Sequence, residues 1–213
     1  KDVDIGLVSQ IKEQRDNYSC VSVYQEPIRE YTNGTTAAHI LGRIGIISPE
    51  EYAELKNQGY GMNDTIGKQG VEKAFEKYLK GTDGTNSIER KIEEGQSEVV
   101  YSRDPIPGNS VMLTIDLDLQ KATEEALEKH IKRIANTSTY RNGSDADAGA
   151  AVAIDLNSGE ILAIASYPTY DPARFNLDYA ELLEAPGNPI FNRALSGVYE
   201  PGSTFKLVTA IAG

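Results

Sequence analysis

The sequence predicts an α+β protein built in two parts, and three observations predict it. Residues 70–81 (GVEKAFEKYLKG) carry Val71, Ala74, Phe75, Tyr78 and Leu79 at i, i+3, i+4, i+7 and i+8, one face of a helix. Residues 117–136 repeat a helical period with Leu119, Ala122, Ala126, Leu127, Ile131 and Ile134. Two apolar runs, GAAVAIDL and EILAIASYP, flank the turn residues Asn157-Ser158-Gly159 and read as a hairpin.

The first part opens with a helix containing Ser9, then a strand-like stretch, CVSVYQ, from Cys20 to Gln25. Ser48 caps a second helix, with Pro49 in its first turn and Glu51 completing a capping box. The helix at 70–81 follows, with Gly81 as its expected C-terminal cap. NSIERKI (86–92) and EVVYS (98–102) read as strands. The two prolines and glycine of Arg103–Ser110 mark the linker, which places the domains at 1–108 and 109–213.

The second part begins with an expected short strand, SVMLTID (110–116), and the long helix, whose wet side carries the ordered pairs Glu125–Lys129 and Glu128–Lys132. A polar loop follows. Its Asp145 and Asp147 resemble a calcium-loop start, but Gly149 occupies the next ligand position. The first hairpin strand is apolar almost throughout, as in a central strand buried on both faces. An irregular Pro-, Asn- and Tyr-rich segment runs from Tyr167 to Tyr199, and a closing helix begins near Ser203.

Composition excludes several functions. The net charge of −11 argues against nucleic acid and against a basic membrane-docking patch. One cysteine, Cys20, excludes an intramolecular disulfide and a cysteine-cluster zinc site, and fits a small buried apolar residue. No run reaches the roughly 20 apolar residues of a membrane-spanning helix. GMNDTIGKQ resembles a phosphate loop faintly, but its Gly61–Gly67 spacing is one residue too long and Gln69 replaces the hydroxyl residue. His39 reads as structural, His130 as a helix-surface residue, and Glu50 and Glu51 as solvated.

Ser203-Thr204-Phe205-Lys206 is the candidate for chemistry. Ser-x-x-Lys alone is weak, with about one chance copy in such a chain. Ser9-Gln10-Ile11-Lys12 is such a copy, set inside a helix pattern. Ser203 differs because Pro201-Gly202 breaks the chain before it. The i, i+3 spacing sets Ser203 and Lys206 on one helix face, and a helix N-terminus favours negative charge developing on the serine oxygen. Leu207, Val208, Ala210 and Ile211 are expected to bury the helix beneath. A lysine in buried surroundings has its charged form disfavoured and serves as a base. The residues alone leave open a plain N-cap with a solvated lysine.

AVAIDLNSGEILAIASYPTYDPARFNL followed by NRALSGVYEPGSTFK resembles the start of the transpeptidase domain of class B penicillin-binding proteins. GNSVMLTIDLDLQKATEEALEK resembles its entry strand and first helix. EPIREYTNGTTAAHILGRIG and IGKQGVEKAFEKYLKGTDG resemble the non-catalytic pedestal, or dimerisation domain. The likeness covers nearly the whole chain after about Tyr18. Pro27-Ile28-Arg29-Glu30-Tyr31 points to the elongation branch, with a sporulation or division paralogue as the alternative.

The resemblance implies a peptidoglycan D,D-transpeptidase. Ser203 attacks the penultimate D-alanine carbonyl of a stem peptide, Lys206 accepts its proton, and the Ser203 N–H supplies half of an oxyanion hole. β-Lactams trap the same serine. Implied partners are stem peptides, a membrane glycan polymerase and elongation-complex proteins, with a homodimer left open. No cofactor is implied, and the location is the extracytoplasmic membrane face through an N-terminal anchor absent from this chain. The Ser-x-Asn and Lys-Thr-Gly elements of such enzymes are missing, and with them the other oxyanion donor. The chain is therefore expected to be an N-terminal piece, inactive alone. The rival functions are a β-lactamase or carboxypeptidase and a non-enzymatic scaffold.

Overall fold

The computed structural model describes residues 3–14, 17, 18, 21, 23, 28–90, 97–139 and 143–212, with only the backbone described at 86–90 and 97–102. They form two compact units, within 1–31 and 32–213. In the first, α1 (Ile5–Glu13) is capped by Asp4, whose carboxylate accepts from the Gly6 N–H at 2.9 Å. Cys20 lies outside the described residues. Of the expected strand at 20–25 only Val21 and Val23 are described, and neither is in a strand.

The second unit begins with the short helix α2 (Ala38–Leu41), strand β1 (Ile44–Ile46) and helix α3 (Pro49–Leu55). The capping box forms as expected: the Ser48 hydroxyl accepts from Glu51 N at 3.3 Å, and Glu51 accepts from Ser48 N at 2.7 Å. Strand β2 (Thr65–Gly67) pairs antiparallel with β1. The helix expected over 70–81 is two pieces, α4 (Gly70–Ala74) and α5 (Glu76–Leu79), interrupted at Phe75. Backbone contact explains the difference. A Cβ on Gly67 would lie 2.1 Å from the Glu72 carbonyl oxygen, so β2 abuts α4 directly and Glu72 faces inward. Phe75 and Tyr78 are left 37% and 52% exposed. After the break, Glu76 accepts from Gly67 N at 2.8 Å and from the Tyr60 hydroxyl at 3.1 Å. Gly81 is not a left-handed cap. It admits the Ile106 carbonyl, which would sit 2.2 Å from a Cβ there.

Strands β3 (Thr85–Arg90) and β4 (Ser97–Arg103) pair antiparallel, so the strands expected there are present, with Lys91 and Ile92 outside the described residues. The proline-rich linker is packed against its neighbours. Thr82 and Ile106 exchange backbone hydrogen bonds at 2.8 and 2.9 Å, and Asn109 N donates to Tyr78 O at 2.7 Å. The strand expected over 110–116 does not form. Instead Thr114 Oγ1 donates to Ile161 O at 2.7 Å and Asp116 N to Leu162 O at 2.9 Å.

Helix α6 (Leu117–Thr137) starts at Asp116, which caps Leu119 N at 2.9 Å. Strands β5 (Gly149–Ile154) and β6 (Ile161–Tyr167) form the expected antiparallel hairpin. The buried face of α6 differs from the apolar stripe. Leu127 and Ile131 face inward, but Leu119, Ala122, Ala126 and Ile134 are exposed, and the residue fully buried is Gln120. Its Oε1 accepts from Ile164 N and its Nε2 donates to Ile164 O, both at 2.8 Å. This amide takes up the Ile164 backbone groups on the β6 edge away from β5, and that docking sets the helix rotation. β6 is the buried strand, from Ala163 to Ser166, while Ala150, Val152 and Ile154 of β5 face out.

The irregular segment contains two helices that the sequence did not announce, α7 (Phe175–Glu184) and α8 (Arg193–Ser196). Phe175, Tyr179 and Leu182 stand at i, i+4 and i+7, a period masked by the surrounding prolines and asparagines. Phe175 and Tyr170 pack on Ala38, with Leu182 and Ile190 beside them. The α+β class stands.

Replacing Gln120 by Leu strands the buried N–H and C=O of Ile164, a loss of about 2–6 kcal/mol at roughly 1–3 kcal/mol per group. Urea titration of Gln120→Leu against the exposed control Ala122→Ser checks this. The control should stay within about 0.5 kcal/mol of wild type.

Candidate active site

Residues 201–206 fold around one glycine. Pro201 has φ −65° and Gly202 has φ +55°, a left-handed value that disfavours any residue with a Cβ. A 3₁₀ turn, Gly202–Phe205, follows and runs into helix α9 (Lys206–Ala212). Lys206 N donates to Ser203 O. With three residues per turn, positions i and i+3 eclipse, so Ser203 and Lys206 project from the same edge. The Ser203 N–H, the expected oxyanion donor, makes no hydrogen bond to another described residue. Ser9 sits in the middle of α1 with no such turn before it.

Two expectations need correction. Leu207, Val208 and Ile211 are 75%, 52% and 87% exposed, and Ala210 is exposed too, so α9 is not buried. Lys206 is also exposed, so the described residues do not supply the burial expected around it. The reason is positional: every hydrogen bond made by residues 197–212 to a described residue stays within residues 193–212.

Upstream, the chain is clamped. His39 Nε2 lies 2.7 Å from Pro189 O, and because a carbonyl only accepts, Nε2 carries the proton. The His39 backbone oxygen accepts from Asn192 Nδ2 at 3.0 Å. His39 thereby grips both ends of the 189–192 turn. Asn192 Oδ1 caps α8 by accepting from Leu195 N at 3.1 Å, and Ser166 Oγ donates to it at 3.4 Å. Ala194 N donates to Ser166 Oγ at 3.0 Å, which ties α8 to β6. Around His39, the Tyr170 ring packs edge-on at 5.2 Å and its hydroxyl donates to Ala38 O. Ala37 N donates to Glu124 of α6 at 2.9 Å, and Arg43 lies 4.1 Å over the Phe175 ring. Desolvation holds the His39 imidazole below its ordinary pKa, with Arg193 adding to the effect against the Pro189 hydrogen bond. His39 is structural, and His130 lies on the exposed helix surface, both as expected. Asn192 was missed. An Asn before a short apolar stretch is a readable N-cap, but its partner lies about 150 residues away in sequence.

Residues 1–113 match the penicillin-binding protein dimerisation domain, and residues 149–213 match the penicillin-binding protein transpeptidase domain. The chain belongs to the penicillin-binding proteins. It is 32% identical, over 97% of its length, to the peptidoglycan D,D-transpeptidase MrdA of Acinetobacter baumannii, and spans 29% of that relative. Pseudomonas aeruginosa PBP2, solved in complex with WCK 5153, is 32% identical with a TM-score of 0.58 over 89% of this chain and 35% of its own. A peptidoglycan synthase complex contains a chain 30% identical, with a TM-score of 0.69 over 99% of this chain and 37% of that one. The penicillin-binding protein transpeptidase match includes Ser203 and Lys206, whereas the strap 37–43 falls in the dimerisation match. Helix α6 lies between the two matched ranges.

Because folding lowers the His39 pKa, the unfolded chain binds more protons in the window just below the ordinary imidazole value. The His39 contribution is therefore complete above about pH 6.5 and is lost as pH falls through the folded value. Glu124, raised by burial, acts in the opposite sense at lower pH. Urea midpoints from about pH 8 to about pH 5.5 should fall for the wild type and fall less steeply for His39→Gln.

Proposed function

We propose that this chain is the pedestal, at about 1–108, and the opening of the catalytic domain, at about 109–213, of a peptidoglycan D,D-transpeptidase of the elongation type. The observation that supports this is the Gly202 turn and the backbone bond from Lys206 N to Ser203 O, which put positions 203 and 206 one turn apart inside a match to the transpeptidase domain. In the proposed reaction Ser203 Oγ attacks the carbonyl of the penultimate D-alanine and Lys206 accepts its proton. The acyl–nitrogen bond breaks, and terminal D-alanine leaves with a proton. An amine of a neighbouring stem then takes the acyl group and frees the serine. The Ser203 N–H donates to the oxyanion.

A β-lactam follows the same first step, because its strained amide presents an equivalent carbonyl. The apolar side of α9 is the natural seat for later elements of the catalytic domain, which would also enclose Lys206. The proposed partners are stem peptides, a membrane glycan polymerase and proteins of the elongation complex. The homologous synthase complex supports a shared assembly for polymerisation and crosslinking. The proposed location is the extracytoplasmic membrane face, through an anchor outside this chain. Among the described residues no helix is long and apolar enough to cross a membrane.

Labelled penicillin tests the assignment. The complete reading frame should be acylated stoichiometrically, Ser203→Ala should not label, and Lys206→Gln should label about 10²–10⁴-fold more slowly. The 213-residue chain should label poorly, since half of the oxyanion hole is lacking. Undiminished labelling of Ser203→Ala overturns the proposal.

A further inference from the structure

We propose that Asn192 is a positioning residue for the nucleophile, through which the pedestal strap at 37–43 sets where the Ser203 segment leaves the fold. Among the described residues, the chain from 197 to 212 makes no hydrogen bond outside 193–212. The clamp at α8 is therefore the last hydrogen-bonded anchorage to the rest of the fold before Ser203. One side chain joins its three parts. Asn192 Oδ1 holds the α8 N-terminus through Leu195 N and receives the Ser166 hydroxyl of β6, while Nδ2 reaches the His39 carbonyl of α2.

Each contact has a distinct consequence. The cap fixes the α8 axis. Ser166, which also accepts from Ala194 N, seats that axis on the buried strand. The His39 contact adds the strap, and His39 returns the grip through Pro189. Arg193 stiffens the same turn by donating to the carbonyls of Gly187, Asn188 and Phe191. Displacing the strap from α6 and β6 therefore tilts α8 and redirects the segment that ends in the Gly202 turn. The strap belongs to the dimerisation match, so the two matched domains meet at a hydrogen bond that an amide makes and a carboxylate cannot.

The kinetic readout rests on the acyl-transfer reading above, and the structural one does not. In the complete reading frame, Asn192→Asp keeps the acceptor for Leu195 N and Ser166 but loses the donor to His39 O. Its limiting rate of penicillin acylation should fall about tenfold with the half-saturating concentration unchanged, a drop of about 1.4 kcal/mol in transition-state stabilisation. Amide exchange should quicken at both 38–42 and 193–197. Ser166→Ala, which leaves the cap and the His39 bond in place, should slow acylation by a smaller factor and remains the test if Asn192→Asp does not fold. Wild-type acylation in either folded variant, or faster exchange confined to one of the two segments, overturns the proposal. If the wild type takes no label, the acyl-transfer reading fails and the exchange pattern alone decides the role of Asn192.

Discussion

The buried amide of Gln120 is the constraint on which the second half of the molecule depends. A two-stranded hairpin is marginal by itself, and β6 offers an edge whose polar groups need partners. Gln120 meets the N–H and the C=O of Ile164 together, as a neighbouring strand would, and no apolar residue can do this. The helix is thereby locked in rotation and register against β6. Its Nε2 also donates to Glu124 at 2.6 Å, and Glu124 accepts from Ala37, so the same helix face fixes the start of the strap. Burial raises the Glu124 carboxyl, and the two hydrogen bonds favour its charged form against that effect.

The strap resolves an apparent conflict between domain organisation and packing. Family matches place the dimerisation and transpeptidase regions on either side of α6, whereas the compact division falls after Tyr31. Ala38 packs with Tyr170 and Phe175, and His39 bonds to Pro189 and Asn192. Residues 37–43 are thus contiguous in sequence with one domain and in core packing with the other. Burial drives this arrangement: Ala38 is small enough to lie against two aromatic rings, and the surrounding backbone polar groups find side-chain partners across the junction.

Much of the architecture was legible because it rests on local rules. The capping box at Ser48, the extent of α6, the β5–β6 hairpin and the turn at Gly202 follow from spacing and backbone preference. The misreadings share a different cause. The stripe Leu119, Ala122 and Ala126 is a sound helical period, but a polar residue beside it makes the decisive contact. The helix at 70–81 breaks because β2 needs a bare backbone approach at Gly67. The strand expected at 110–116 is replaced by single bonds to β6, and α7 was obscured by neighbouring turn residues.

The sequence by itself determined the α+β class, the family likeness and the three-residue spacing of Ser203 and Lys206. Each is written within a few consecutive residues, where chain stereochemistry is sufficient. Tertiary structure decided which face of α6 is inward, that the strap joins the second domain's core, and that Asn192 meets His39. Those outcomes depend on pairing buried and half-buried polar groups that lie 44 to 153 residues apart, and no local period records such a pairing.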